Sequence, residues 1–319
     1  MFGRKNALMH LIICILTSPL YLYSAVYYSD TFSLPIGVGI LYLWLILKEK
    51  DKLVTKILLS VILGILLFVG MKLKILSIFV FIALVVYEFC VGDKKELIKG
   101  LCVILPITII STIMFNSLVA NKLLTKEARD KYQIPVEHWI LMGLKGNGGW
   151  SFLDYANTAK ADTYAERKQN VKERIVARIE KRNIGKHLKQ RYSKIAFTWH
   201  DGTYWVSEKL TRGSINKGRL NQFVVKNGEH VGVYKYITQA MHFSMIIYII
   251  ITLGNLIITK DYTNKSHILS ITIFGLFVFL IIWETRSRFL INILLFMIML
   301  SVNGIEYLNS KLTFMKLKR

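Results

Sequence analysis

Residues 268–308 read ILSITIFGLFVFLIIWETRSRFLINILLFMIMLSVNGIEYL. Two apolar runs, Ile268 to Trp283 and Phe289 to Leu308, flank a short interruption, Glu284-Thr285-Arg286-Ser287-Arg288. Each run is longer than a core strand or an ordinary half-buried helix needs, and each nears the ~20 residues that cross a bilayer. The interruption therefore reads as a tight turn between two membrane helices. Each charge costs roughly 3 kcal/mol or more at membrane depth, so this turn should face protein, water or an anionic ligand.

The same pattern recurs outward from this hairpin. Further apolar runs cover Ala7 to Tyr27, Thr31 to Leu47, Ile57 to Gly70, Ile75 to Val91, Leu101 to Val119 and Ala240 to Thr259. Taken as one segment, Ile57 to Val91 would reach roughly 50 Å at 1.5 Å per residue, against a hydrocarbon core of ~30 Å. A hairpin turning at Gly70, with Lys72 and Lys74 at the water, resolves the excess length. Apolar residues make up 53% of the chain, against 4 prolines, and mean hydropathy is +0.42, which excludes an ordinary soluble domain. The net charge of +22 would suit nucleic acid. Much of the Lys and Arg instead lies in short clusters between apolar runs, where topology and anionic lipid account for it. Membrane lipids are thus the expected partners, and nucleic acid is not.

The clusters Arg4/Lys5, Lys48 to Lys56, Lys94 to Lys99, Lys260/Lys265 and Lys311 to Arg319 fall on one side, which the positive-inside rule makes cytoplasmic. Both termini are then inside the cytoplasmic membrane. The expected fold is an all-α polytopic membrane protein of about eight transmembrane helices with one large, mainly helical extracytoplasmic loop domain. Its parts are a five-span region over residues 1–120, the loop domain over 121–239 and a three-span region over 240–319. Within the loop, helices are expected from about Tyr164 to Arg182 and from about Lys186 to Ala196, with Asn183-Ile184-Gly185 as a helix stop. Asp201-Gly202 is a turn signal between aromatic residues.

Cys14, Cys90 and Cys102 lie in or at the ends of apolar runs, so no disulfide framework or C-x-x-C metal site is expected. His138, His187, His200 and His230 match no zinc spacing. The Gly-rich loop Leu144 to Gly149 lacks the G-K-[ST] ending of a nucleotide P-loop. Ionisable groups gather on the outer face. Asp30 follows Tyr27-Tyr28-Ser29 and suits a general base, a metal ligand or an ordinary interfacial charge. Lys72 and Lys74 suit a phosphate head group or simple snorkelling. Glu284 and Arg288 can pair at i,i+4 if their turn is helical, leaving Arg286 to fork onto phosphate.

Four stretches together resemble a known superfamily: Pro19 to Leu34 around Asp30, Gly70-Met71-Lys72-Leu73-Lys74, His138 to Leu144 with Gly148-Gly149-Trp150, and Trp283-Glu284-Thr285-Arg286-Ser287-Arg288-Phe289-Leu290. The arrangement looks like the C-terminal part of a GT-C superfamily membrane glycosyltransferase, related to protein O-mannosyltransferases and similar to the large membrane glycosyltransferases of Gram-positive bacteria. The resemblance implies a polyprenyl-phosphate sugar donor consumed at the outer face. Asp30 would be the catalytic carboxylate, while Lys72, Lys74, Arg286 and Arg288 would hold the donor phosphate and the charge of the departing polyprenyl phosphate. Glu284, His200 and Asp201 would serve as structural or acceptor-side groups. No dedicated metal-ligand cluster is visible, though Asp30 is placed to share a divalent cation with a donor phosphate. The superfamily's principal carboxylate lies in a large first outer loop, and here that loop is a few residues around Asp30. The resemblance therefore implies a missing N-terminal half or a partner membrane protein. The competing expectations are a non-catalytic membrane subunit, a polysaccharide polymerase or ligase drawing on Arg174, Arg178 and Arg182, and a lipid-linked saccharide flippase.

Overall fold

The computed structural model describes residues 3–26, 28–180, 183–212 and 218–317, with side chains to residue 313. Tyr27, Arg182, Lys318, Arg319 and the Lys316 side chain, all used in the reading above, lie outside these. Among the described residues every regular element is helical. Five helices are long and apolar enough to cross a membrane: Ser29–Glu49, Leu53–Leu73, Lys94–Leu123, Val231–Thr259 and Ser287–Thr313. The other three apolar runs form the shorter Ile75–Val91 and Ser266–Ile282 helices and a bent pair, Arg4–Leu16 with Pro19–Ala25.

That bent pair differs from the single span expected over Ala7 to Tyr27. Proline lacks an N–H and clashes with the preceding turn, so the helix stops at Thr17 and restarts with Pro19 in its first turn, bent by 59°. The run expected over Ile57 to Gly70 extends to Leu53–Leu73: Lys56 is carried within the helix by its ion pair with Glu96, Nζ to Oε2 at 2.8 Å, and Lys72 is exposed in the last turn.

The chain divides into two compact units, one of Met1–Thr108, Asp201–Gly275 and Arg288–Arg319, the other of Ile109–His200 and Leu276–Ser287. In the first, the Ser287–Thr313 helix forms the core. Two thirds of its most apolar window is buried, against 17% for the Lys94–Leu123 helix, whose sides are left for lipid. Small residues set the packing distances. A Cβ at Gly304 would lie 2.2 Å from the Tyr248 carbonyl oxygen, and one at Gly64 2.8 Å from that of Ile104. Polar bonds fix register at the same crossings: Thr252 Oγ1 donates to Leu300 O at 2.8 Å and Thr108 Oγ1 to Gly64 O at 3.0 Å. Trp44 Nε1 and Lys48 Nζ both donate to buried Glu88, at 3.2 and 2.9 Å.

The second unit joins the ends of two apolar helices, residues 109–123 and 276–282, to a set of shorter helices between residues 126 and 199. Its longest pair is Tyr164–Glu180, over the stretch that an apolar stripe marks, and Ile184–Trp199, which starts inside the expected stop and runs past Ala196. Asn183, expected within a stop, is the N-cap of the later helix, its side chain accepting from Lys186 N at 3.0 Å. An Asn oxygen satisfies a first-turn amide that would otherwise lack a partner.

Candidate functional site

The site of the first unit begins at the N-terminus of the Ser29–Glu49 helix. Asp30 stands in its first turn, where the helix dipole favours a carboxylate, and is fully buried. Lys74 reaches it from the end of the Leu53–Leu73 helix, with Nζ 2.7 Å from Asp30 Oδ1. Gly70 permits this approach: a Cβ there would lie 2.9 Å from Ile36 and 3.0 Å from Ser77, so any larger residue would push the Gly70–Lys74 turn away from the Asp30 helix. Asn292 donates to the same Oδ1 at 2.9 Å, and its own oxygen accepts from Ser33 Oγ, which fixes the amide's orientation. The second carboxylate oxygen, Oδ2, is buried and has no hydrogen-bond partner among the described residues.

Two neighbouring aromatic rings, Tyr28 and Phe289, carry further cations. Arg288 Nη1 donates to the Tyr28 hydroxyl at 2.6 Å, and its guanidinium lies 4.8 Å from the Tyr28 ring and 5.0 Å from that of Phe289. Lys74 Nζ is 4.5 Å from the Phe289 ring, and Lys209 Nζ is 4.0 Å from that of Tyr28. Ring faces attract such cations and hold them close together without neutralising their charge. Lys74 thus pairs with the buried carboxylate, while Arg288 and Lys209 meet at the ring of Tyr28, two residues before it in the chain.

Asp201 has a positioning role in this unit. Its Oδ1 accepts from Thr203 N at 2.9 Å and Thr203 Oγ1 at 2.6 Å, and its Oδ2 from Trp205 N at 2.9 Å. These bonds hold Tyr204 and Trp205 in the left-handed conformation, at φ 52° and 66°. The Tyr204 carbonyl accepts from Tyr23 OH at 2.6 Å, while its hydroxyl pairs with His242 Nδ1 at 2.8 Å. This strained turn starts the Val206–Thr211 helix, which presents Lys209 to Tyr28. Lys72 remains exposed in the last turn of its helix.

Glu284, Arg286 and His200 belong to the second unit. Residues 283–286 are not helical, so the helical turn that an i,i+4 pairing of Glu284 requires is absent there. Glu284 Oε1 instead lies 3.8 Å from Arg286 Nε. His200 is exposed and turns Nδ1 back to Ala196 O at 3.0 Å. The Glu137–Gly143 helix and the Gly-rich loop after it both dock on the Trp283–Thr285 segment: Glu284 N donates to Trp139 O at 2.9 Å and Thr285 N to Gly148 O at 2.8 Å. Gly143 packs so tightly that a Cβ would lie 2.3 Å from Ile282 O.

Buried charges fasten that docking. Lys194 Nζ donates to Gly143 O at 2.9 Å and Ile281 O at 3.1 Å. Burial, reinforced by Arg191, lowers its pKa to about 7. Asp154 receives Arg174 and Arg178 at 2.6 and 2.5 Å. Burial raises its pKa, but Arg178 above all outweighs this and holds it below the ordinary range. Beside them His138 pairs with Thr158 Oγ1 at 2.9 Å, and burial pushes its pKa down to about 4. Arg174 and Arg178 are thus committed to a buried carboxylate. Among the described residues, no three His, Cys, Asp or Glu side chains are grouped to hold a metal ion.

Asn292 and Lys209 are the members of the first site that the sequence reading missed. A lone Asn inside an apolar run is a signal of intramembrane polarity, whereas Lys209 carries no signal beyond its charge. No curated protein and no solved structure matches the chain. The family model described as conserved hypothetical integral membrane protein matches residues 1–307, and the chain belongs to that family of integral membrane proteins.

Proposed function

We propose that the chain is a membrane glycosyltransferase of the GT-C type, or the C-terminal part of one, that moves a sugar from a polyprenyl-phosphate donor to a cell-surface acceptor. The observation that carries this reading is the buried Asp30 carboxylate, with Oδ2 unpartnered and Lys74, Arg288 and Lys209 gathered at two rings beside it. In the proposed reaction Asp30 takes the proton of an acceptor hydroxyl as its oxygen bonds to the sugar's anomeric carbon. The bond from that carbon to the phosphate oxygen breaks, and Lys74 and Arg288 stabilise the charge on the departing polyprenyl phosphate. Lys72 is assigned to the donor's approach, and Asp30 would be the residue to hold a divalent cation, which would supply further positive charge to the phosphate.

This reading takes the eight apolar segments as spans, with both termini in the cytoplasm, Asp30 at the outer face and residues 121–239 as an outer segment. It keeps a partner membrane protein as the source of a further carboxylate. A non-catalytic binding subunit is the second reading, favoured by the occupation of Asp30 Oδ1 by both Lys74 and Asn292. Purified full-length protein in proteoliposomes, given a polyprenyl-phosphate mannose and a peptide or glycan acceptor library, separates the two. Gradient-independent release of polyprenyl phosphate supports the transferase. Saturable donor binding without release, in the presence of co-expressed neighbouring membrane proteins, supports the binding subunit.

A further inference from the structure

A second chamber in the first unit lies at the opposite end of the Ser287–Thr313 helix from Asn292. It has a volume of about 410 Å³ and is bounded by Asn6, Asn255, Ser266, Asn303 and Glu306, with Lys265 at its rim. We infer that this chamber binds a neutral monosaccharide unit, a site separate from the Asp30 cluster and independent of any transfer reaction there.

The chemistry of the lining selects the ligand. The chamber is many times the ~30 Å³ that a water molecule occupies, so its natural occupant is a molecule rather than a bare ion. Asn6 is 6% exposed; its Nδ2 donates to Glu306, while its Oδ1 is buried without a partner. Asn303 Nδ2 donates to Ser266 Oγ at 2.7 Å, which fixes that amide's rotation. Carboxamides and a carboxylate arrayed around one space offer donors and acceptors together. Sugar hydroxyls complement that mixture because each both donates and accepts. Lys265 and Glu306 balance in charge, so the lining favours neither an anion nor a cation. The Tyr307 ring, which also lines the chamber, offers an apolar surface to a pyranose face.

A free hexose and the sugar headgroup of a glycolipid share this chemistry, and two arms of one experiment distinguish them. The detergent-purified full chain is dialysed against radiolabelled glucose, and the chain in nanodiscs is titrated with glucosyl-diacylglycerol against diacylglycerol. Saturable binding of free glucose identifies the soluble source, and saturable binding of the glycolipid alone identifies the headgroup. In the positive arm, Asn255→Leu is expected to weaken binding at least tenfold. Because a variant can fail by misfolding, hydrogen exchange on the unaltered chain supplies a second measurement, with the sugar expected to protect residues 261–267 and 303–307. The inference is overturned if neither probe binds saturably up to about 100 mM, where affinity falls to the order of a single tenfold preference. It is equally overturned if exchange protection lies elsewhere. Since only binding is read, neither result depends on whether the Asp30 site transfers sugar.

Discussion

Lys74 Nζ stands 2.7 Å from Asp30 Oδ1, while the other oxygen of that carboxylate is buried and unpartnered. Two helices that meet at Gly70 bring this pair together, and the two oxygens differ: one is anchored by Lys74 and Asn292, the other is buried without a hydrogen-bond partner among the described residues. Replacing Asp30 with Asn retains an oxygen for Lys74 but removes the basic group. General-base catalysis contributes roughly 10²–10⁴-fold, so Asp30→Asn should lower polyprenyl-phosphate release at least about 100-fold. Donor binding should change much less. An unaltered release rate would sink the catalytic assignment of Asp30.

Arg288 holds Tyr28 through a hydrogen bond and two rings through its guanidinium plane. Lysine keeps the charge but not the plane, so Arg288→Lys is not a conservative change at this position. Charge stabilisation of a leaving group is expressed in the transition state. Arg288→Lys is therefore expected to reduce kcat about tenfold with little effect on KM, and Arg288→Ala about a hundredfold. Steady-state kinetics in proteoliposomes check this; a KM-only effect would place Arg288 in ground-state donor binding.

The apolar runs were legible because a bilayer demands contiguous hydrophobicity, which survives without knowledge of tertiary contacts. The break at Pro19 was present in the sequence but outweighed by the apolar residues around it. What was not legible depends on distance. Nothing local joins Asn292 to Asp30, 262 positions apart, or Trp139 and Gly148 to Glu284 and Thr285. Asp201 was legible as a turn residue, but its consequence for Lys209 follows from a helix that starts in left-handed backbone. The arginines weighed as polymerase groups, Arg174 and Arg178, proved to be bound to Asp154, a long-range ion pair that charge patterning does not reveal.

Close backbone approach makes two glycines diagnostic of separate units. Gly304→Ala places a methyl 2.2 Å from Tyr248 O, and Gly143→Ala one 2.3 Å from Ile282 O. Backbone must shift in each case, and overpacking of this kind costs about 1–3 kcal/mol. Gly304→Ala should lower the detergent unfolding midpoint and increase exchange across Val231–Thr259 and the Ser287–Thr313 helix. Gly143→Ala should instead increase exchange across residues 137–160 and 282–286. Wild-type exchange in those segments would contradict the tight packing.

The buried His138 gives the second unit a defined acid sensitivity. Burial lowers its folded pKa to about 4, against about 6.5 for an unperturbed histidine. Between these values the unfolded chain takes up a proton that the folded chain refuses, so stability falls as pH drops from about 6.5 to 4 and the loss levels off below. Asp154, held low chiefly by Arg178 against the effect of its burial, keeps its charge through most of that window and does not supply the slope. Lys194, lowered to about 7, acts on the alkaline side: stability rises from about pH 7 towards the unperturbed lysine value as the unfolded chain retains a proton the folded chain releases. Hydrogen exchange over residues 137–159 should therefore be faster at pH 5 than at pH 7 after correction for intrinsic rates. In His138→Gln, whose amide can still meet Thr158, that difference should disappear. Persistence of the full difference in the variant would assign the acid sensitivity to another group.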